Sequence, residues 1–185
     1  HNLALLKTHY YGGIKKYQWF ARPLALHGVV LLRDGSSVEV ELGEDSSGPA
    51  LCVADLLPHL SQDQARQHLS DAFPAEKLNL IAGHAPYPGV KGKNRIKLAV
   101  LKQLNERYGI VEEDLVSAEL EAVPAGRSQD IGLDGSLIGG YGHDDRCSAY
   151  SALRALIDAR DTGRNVAALF FDKEEIGSEG NTGAQ

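Results

Sequence analysis

The 185 residues suffice for one large domain or two small ones, and an apolar fraction of 43% can bury a core. A net charge of -6 argues against nucleic acid as a main partner, since phosphate binding needs clustered Lys and Arg, and the one basic cluster, residues 91–97, reads as a loop entering a helix. No run of 18 apolar residues and no secretory leader pattern occurs, so no membrane partner is expected and a cytoplasmic setting is the default.

Residues 3–7 are strand-like. Residues 24–32 are mostly apolar, Asp34-Gly35 is a turn signal, and residues 37–42 alternate with Val38, Val40 and Leu42 on one face and Glu39 and Glu41 on the other, which predicts a hairpin. A second apolar stretch, 51–60, is interrupted by Pro58 and suits an edge or a strand ending. Ser61 followed by Gln64 reads as a capping box opening a helix to about Ala72, closed by Pro74. Residues 83–92 hold two prolines and three glycines and must be a loop. Ile96, Val100, Leu101, Leu104 and Tyr108 fall at helical spacing, with Gly109 as C-cap, and residues 116–123 alternate as a half-buried strand with Ser117, Glu119 and Glu121 outward.

The character changes after Pro124. Residues 126–142 are polar and rich in Gly, a helix is expected from about Cys147 to Arg160 with Tyr150, Leu153, Leu156 and Ile157 on one stripe, and residues 166–171 form an apolar run of the kind buried on both faces of a parallel sheet. Helix, tight turn and buried strand are α/β grammar, which places a domain boundary near Ser128: residues 1–128 β-rich, residues 129–185 the opening of an α/β domain. Cys52 and Cys147 fit no metal spacing and are expected as buried thiols. With no Met anywhere and an acidic motif just complete at its end, the chain looks cut at both ends.

The acidic string Asp172-Lys173-Glu174-Glu175 follows the expected buried strand, at the end where open α/β sheets place ligands, and Asp144-Asp145 stands at a helix entrance. Carboxylates brought that close need a cation or a proton, which points to a divalent metal. The alternative stays open on pattern alone: Asp-Asp is also a helix cap, and Glu-Glu is also solvated surface.

The 142–146 string Gly-His-Asp-Asp-Arg with the helix after it, and the 171–178 string Phe-Asp-Lys-Glu-Glu-Ile-Gly-Ser, resemble the two central motifs of the aspartyl aminopeptidase family. Residues 8–14 (Thr-His-Tyr-Tyr-Gly-Gly-Ile) and 23–29 (Pro-Leu-Ala-Leu-His-Gly-Val) resemble the start of that family's inserted dimerisation domain. The resemblance implies an α/β zinc peptidase interrupted by a β-rich dimerisation domain, two zinc ions per site, peptide substrates with acidic N-terminal residues, and a homo-oligomer. It implies that Asp144 bridges the zinc ions, that a cis peptide joins it to Asp145, that Glu175 is a ligand to one zinc, and that Glu174 is the general base. His59, in Leu-Leu-Pro-His-Leu (56–60), resembles a histidine that reaches into the neighbouring subunit's active site; by itself it reads as a partly buried, hydrogen-bonded side chain.

Departures accompany the match. The family's His-x-Asp-Ser-Pro motif and its further Asp and His ligands are absent, so the chain holds an incomplete site and is expected to be inactive by itself. His143 is a candidate for supporting a ligand; His9 and His27 in strand-like segments, His68 on a helix and His84 in a loop are expected to be structural or at the surface. The alternatives are an aminopeptidase of broad or glutamyl preference and a non-catalytic dimerisation module.

Overall fold

A computed structural model describes residues 2–45, 47–159 and 163–171. The chain divides into two compact units, His1–Tyr10 with Ile14–Gly126, and Tyr11–Gly13 with Arg127–Gln185.

The first unit is built on a three-stranded antiparallel sheet. Strand β1 is Ala4–Leu6, β2 is Leu24–Leu31 and β3 is Ser37–Leu42. The β2-β3 hairpin has the expected register, Leu26 opposite Leu42 through Leu31 opposite Ser37. Its turn is set locally: Asp34 Oδ1 accepts from both the N–H and the hydroxyl of Ser36, and Gly35 takes the positive φ of 87° that a residue with a Cβ disfavours. After β4 (Leu80–Gly83), which pairs with β1, and the helices described below, β5 (Ala118–Pro124) joins the other side of β2. Alternation then decides the core. Leu24, Leu26 and Val30 of β2 and Val40 of β3 point inward with Trp19, Leu51, Val53, Leu78, Leu80 and Ile110. Full burial of a side chain such as Leu24, Leu80 or Ile110 contributes about 1.5–3 kcal/mol.

Helix α3 (Arg95–Tyr108) runs as its spacing predicts, closed by Gly109 in the left-handed region, and Leu104 and Tyr108 pack on the core. The expected helix over 61–72 is instead two single turns, α1 (Gln62–Ala65) and α2 (Leu69–Ala72). Ser61 makes no side-chain cap: its hydroxyl donates back to Pro58 O at 3.3 Å, and neither turn buries a residue, so nothing repays extension. The 51–60 stretch contributes only isolated bridges at 51–53, to residues 24, 20 and 81. Beyond them Leu56, Leu57 and Leu60 are exposed. Val116 and Ser117 belong to a 3-10 segment, Glu112–Ser117, ahead of β5. His9 lies outside any strand.

In the second unit, a hairpin of β6 (Gln129–Ile131) and β7 (Leu137–Gly139) occupies the polar, Gly-rich stretch. Its turn repeats the first one: Asp134 Oδ1 accepts from the N–H and hydroxyl of Ser136, and Gly135 has φ of 60°. Helix α4 follows, His143–Asp158. Its stripe departs from expectation, with Tyr150, Leu153 and Ile157 exposed and only Leu156 half-buried. Residues 163–171 form no strand, and Val166, Leu169, Phe170 and Phe171 are exposed. A strand exists through its partners, and none of the described residues pairs with this segment. Cys147 is exposed and Cys52 half-buried, so neither thiol is buried as expected.

Candidate metal and catalytic residues

The chain enters α4 through Gly142, whose φ of 85° turns the backbone into the helix. A Cβ there would lie 2.2 Å from Nη1 of Arg146, a guanidinium whose Nη1 also reaches Tyr141 O at 3.5 Å. Asp144 then departs from helical geometry, with φ of -86° and ψ of 117°, and the peptide between Asp144 and Asp145 is cis, as the family resemblance implies. Both carboxylates are exposed in the first turn, where the helix dipole favours negative charge. Neither receives a hydrogen bond or ion pair from the described residues, which leaves their oxygen lone pairs open toward a cation. His143 points one ring nitrogen elsewhere: Nδ1 lies 3.6 Å from Sγ of Cys147.

His59 belongs to the first unit. It occupies a turn after Pro58, closed by the Leu60 and Ser61 N–H groups donating to Leu57 O at 2.8 and 3.0 Å. Its ring is exposed and makes no hydrogen bond among the described residues, so the partly buried, hydrogen-bonded histidine is not what is found. Leu56, Leu57 and Leu60 beside it are exposed, and Leu56 lines a shallow cleft of about 310 Å³ with Gln64, Leu69 and Phe73. The sequence carries the signal for that surface, four leucines within 14 residues around a proline, although its pattern suits a strand ending followed by a helix.

Asp172, Glu174 and Glu175 lie outside the described residues. Among the described residues no three His, Cys, Asp or Glu side chains converge as a metal site. The other histidines have separate surroundings. His27 Nε2 is 3.0 Å from Glu44 Oε1, His84 Nδ1 meets Asn2 O, and His68 precedes α2. No helix among the described residues is long and apolar enough to cross a membrane.

The family model described as aminopeptidase I zinc metalloprotease (M18) matches residues 1–185. A probable M18 family aminopeptidase 1 of Thermotoga maritima is 52% identical over 183 residues, which are 99% of this chain and 40% of that protein. Its counterpart in Clostridium acetobutylicum is 46% identical over 184 residues, again 40% of its length. The chain therefore spans about 40% of the relatives it matches. The crystal structure of an M18 family aminopeptidase from Thermotoga maritima superposes with a TM-score of 0.90 at 51% identity, covering 100% of this chain and 40% of that one. Aminopeptidase I from Clostridium acetobutylicum gives 0.84 at 44% identity, with 98% of this chain covered. The α/β class expected from the sequence is the class of these structures.

Proposed function

Because the chain belongs to the aminopeptidase I zinc metalloprotease family, M18, we propose that the full-length protein is a two-zinc aminopeptidase releasing N-terminal residues, acidic ones by preference, from peptides. The family match over residues 1–185 carries this reading. In it, Asp144 and Glu175 are the residues of this chain that would hold zinc, Asp144 as the shared ligand. The helix dipole keeps the Asp144 carboxylate ionised at the start of α4, and its open oxygen lone pairs are the donors a divalent cation takes. Bound zinc supplies Lewis acidity to the scissile carbonyl and a water of lowered pKa. Glu174, a carboxylate outside the ligand set, would be the general base and would carry a proton to the leaving amine.

The β-rich part, residues 1–128, serves as the dimerisation domain in this reading, and residues 129–185 open the catalytic domain. His59 of one subunit donates a hydrogen bond to the oxyanion formed on a substrate held by its neighbour. Its exposure, and the absence of a hydrogen bond to it among the described residues, support that role. The enzyme acts in the cytoplasm, and assembly is a condition of its activity.

The division of labour between adjacent glutamates gives the test, in the full-length enzyme. Glu174→Gln lowers turnover by about 10²–10⁴-fold while zinc content stays at the wild-type level, because a base is lost and no ligand. Glu175→Gln lowers bound zinc. Equal zinc loss in both variants refutes the assignment.

A further inference from the structure

The solvent face of the β3-β2-β5 sheet combines charge and apolar surface in a fixed pattern. Register places Val29 between Glu39 and Glu119, and His27 between Glu41 and Glu121, so an apolar and histidine spine on β2 is flanked by glutamates on both neighbouring strands. Val29 and Leu31 are 40% and 54% exposed. Glu39 and Glu41 stand exposed on β3, an edge strand of the sheet. Negative charges gathered on one face favour a positive partner.

The same unit carries the opposite surface. The loop before α3 is closed by Tyr87 N–H donating to Arg95 O at 2.9 Å, and it presents Lys91, Lys93 and Arg95 exposed, none in an ion pair among the described residues, with Val90 36% exposed beside them. Helix α3 begins with no side-chain cap and no acidic residue in its first turn, and Arg95 adds positive charge to the positive end of its dipole. Glu112 of the same chain pairs with Lys97 in that turn, and a further carboxylate brought near Arg95 offsets the remaining positive charge. Tyr108, at the far end of α3, donates to Glu41 O at 2.7 Å, and a 14-residue helix is about 21 Å long, so the start of α3 lies about that far from the Glu41 carbonyl of the same chain.

We infer that the acidic sheet face of one subunit receives the 90–95 loop of a second copy, with Val90 against Val29 and Leu31, and Lys91 and Lys93 against the glutamates of β3. Both halves of the contact are on this chain, their charges are complementary, and each includes an exposed valine. Because the two patches are different surfaces, the contact is head to tail, closing into a ring or adding a subunit to each end. It stands apart from the metal assignment, and its readout is mass, so loss of activity leaves it untouched.

The test uses the full-length enzyme in light scattering and sedimentation at 50 and 500 mM NaCl. Salt should weaken the contact, since screening shortens from about 10 Å at 0.1 M toward 3 Å at 1 M. The charge reversals E39K/E41K and K91E/K93E should each raise the subunit dissociation constant at least tenfold at 50 mM NaCl. The chain carrying all four substitutions should regain the wild-type mass. Wild-type mass in either reversed pair overturns the proposal, and so does failure of the fourfold chain to recover. A pair that lowers the melting temperature without changing mass assigns the face to another part of the same polypeptide, which also overturns it. Should a reversed pair fail to fold, E39Q/E41Q and K91Q/K93Q are held to the same mass criterion at 50 mM NaCl, where unchanged mass again refutes the contact.

Discussion

Glu44 joins residues far apart in the chain: Oε1 lies 3.0 Å from His27 Nε2, and Oε2 accepts from Gly126 N–H at 3.3 Å. The hydrogen bond from His27, with a smaller one from Gly126, holds the carboxyl below its ordinary value of 4.5. The native state then binds fewer protons than the unfolded chain, so the stabilisation is complete above pH 4.5 and is lost as pH falls through the native value. Wild type should therefore melt above Glu44→Gln at pH 6, with the gap closing below pH 4.5. A gap that stays constant from pH 6 to pH 3 contradicts this account. His59 yields a different residue-scale prediction. His59→Ala in the full-length enzyme should lower kcat about 10²–10³-fold with zinc content and oligomer size unchanged. Mixed with Glu174→Gln subunits it should regain activity, since one site of each hybrid receives an intact base and a donated histidine. Verified hybrids no more active than either parent return His59 to a surface role.

At the scale of elements, β2 tolerates no side chain at its centre. Gly28 has φ of 144°, and a Cβ there would lie 2.0 Å from Glu119 O on β5. Gly28→Ala must push the strands apart or unpair them, and should cost more than about 3 kcal/mol in urea unfolding of the first unit. Gly35 is the control. Its φ is also positive, at 87°, but nothing lies within 4 Å of a Cβ, so Gly35→Ala pays only for the left-handed backbone, about 1–2 kcal/mol. Equal costs would show that the strand spacing is not the cause. These turns also mark what local pattern can show. Asp34-Gly35-Ser36 and Asp134-Gly135-Ser136 fold alike, yet only the first was legible as a hairpin, because β2 and β3 are long enough to alternate and the three-residue β6 and β7 are not. The single turns α1 and α2 show the converse: a capping signal without a buried face does not sustain a helix.

For the whole molecule, the two units have separate consequences. Limited proteolysis should cut first between residues 124 and 140 and leave the first unit folded, since its core draws on residues 19–110. First cuts inside 24–42 would contradict a self-sufficient unit. Zinc removal extends the contrast. The first unit's core is an apolar cluster whose burial owes nothing to a cation, so a chelator should abolish turnover of the full-length enzyme while leaving this unit's unfolding transition in place. Loss of both together would place metal in its fold.

The sequence alone determined the β2-β3 hairpin, α3 with its Gly109 cap and the placement of Asp144 and Asp145 at a helix entrance, because each follows from side-chain period, turn chemistry or motif within a few residues. It also named the candidate chemistry of Asp144, Glu174, Glu175 and His59 through the family motifs, the two glutamates lying beyond the described residues. Tertiary structure decided the rest. Only packing tells a buried apolar run from an exposed one: Val30 and Val40 are sealed by the core cluster, whereas the 56–60 leucines, most of the α4 stripe and most of residues 166–171 share their hydrophobicity and lie open. Pattern specifies which side chains seek burial, and contacts distant in sequence determine whether burial is found.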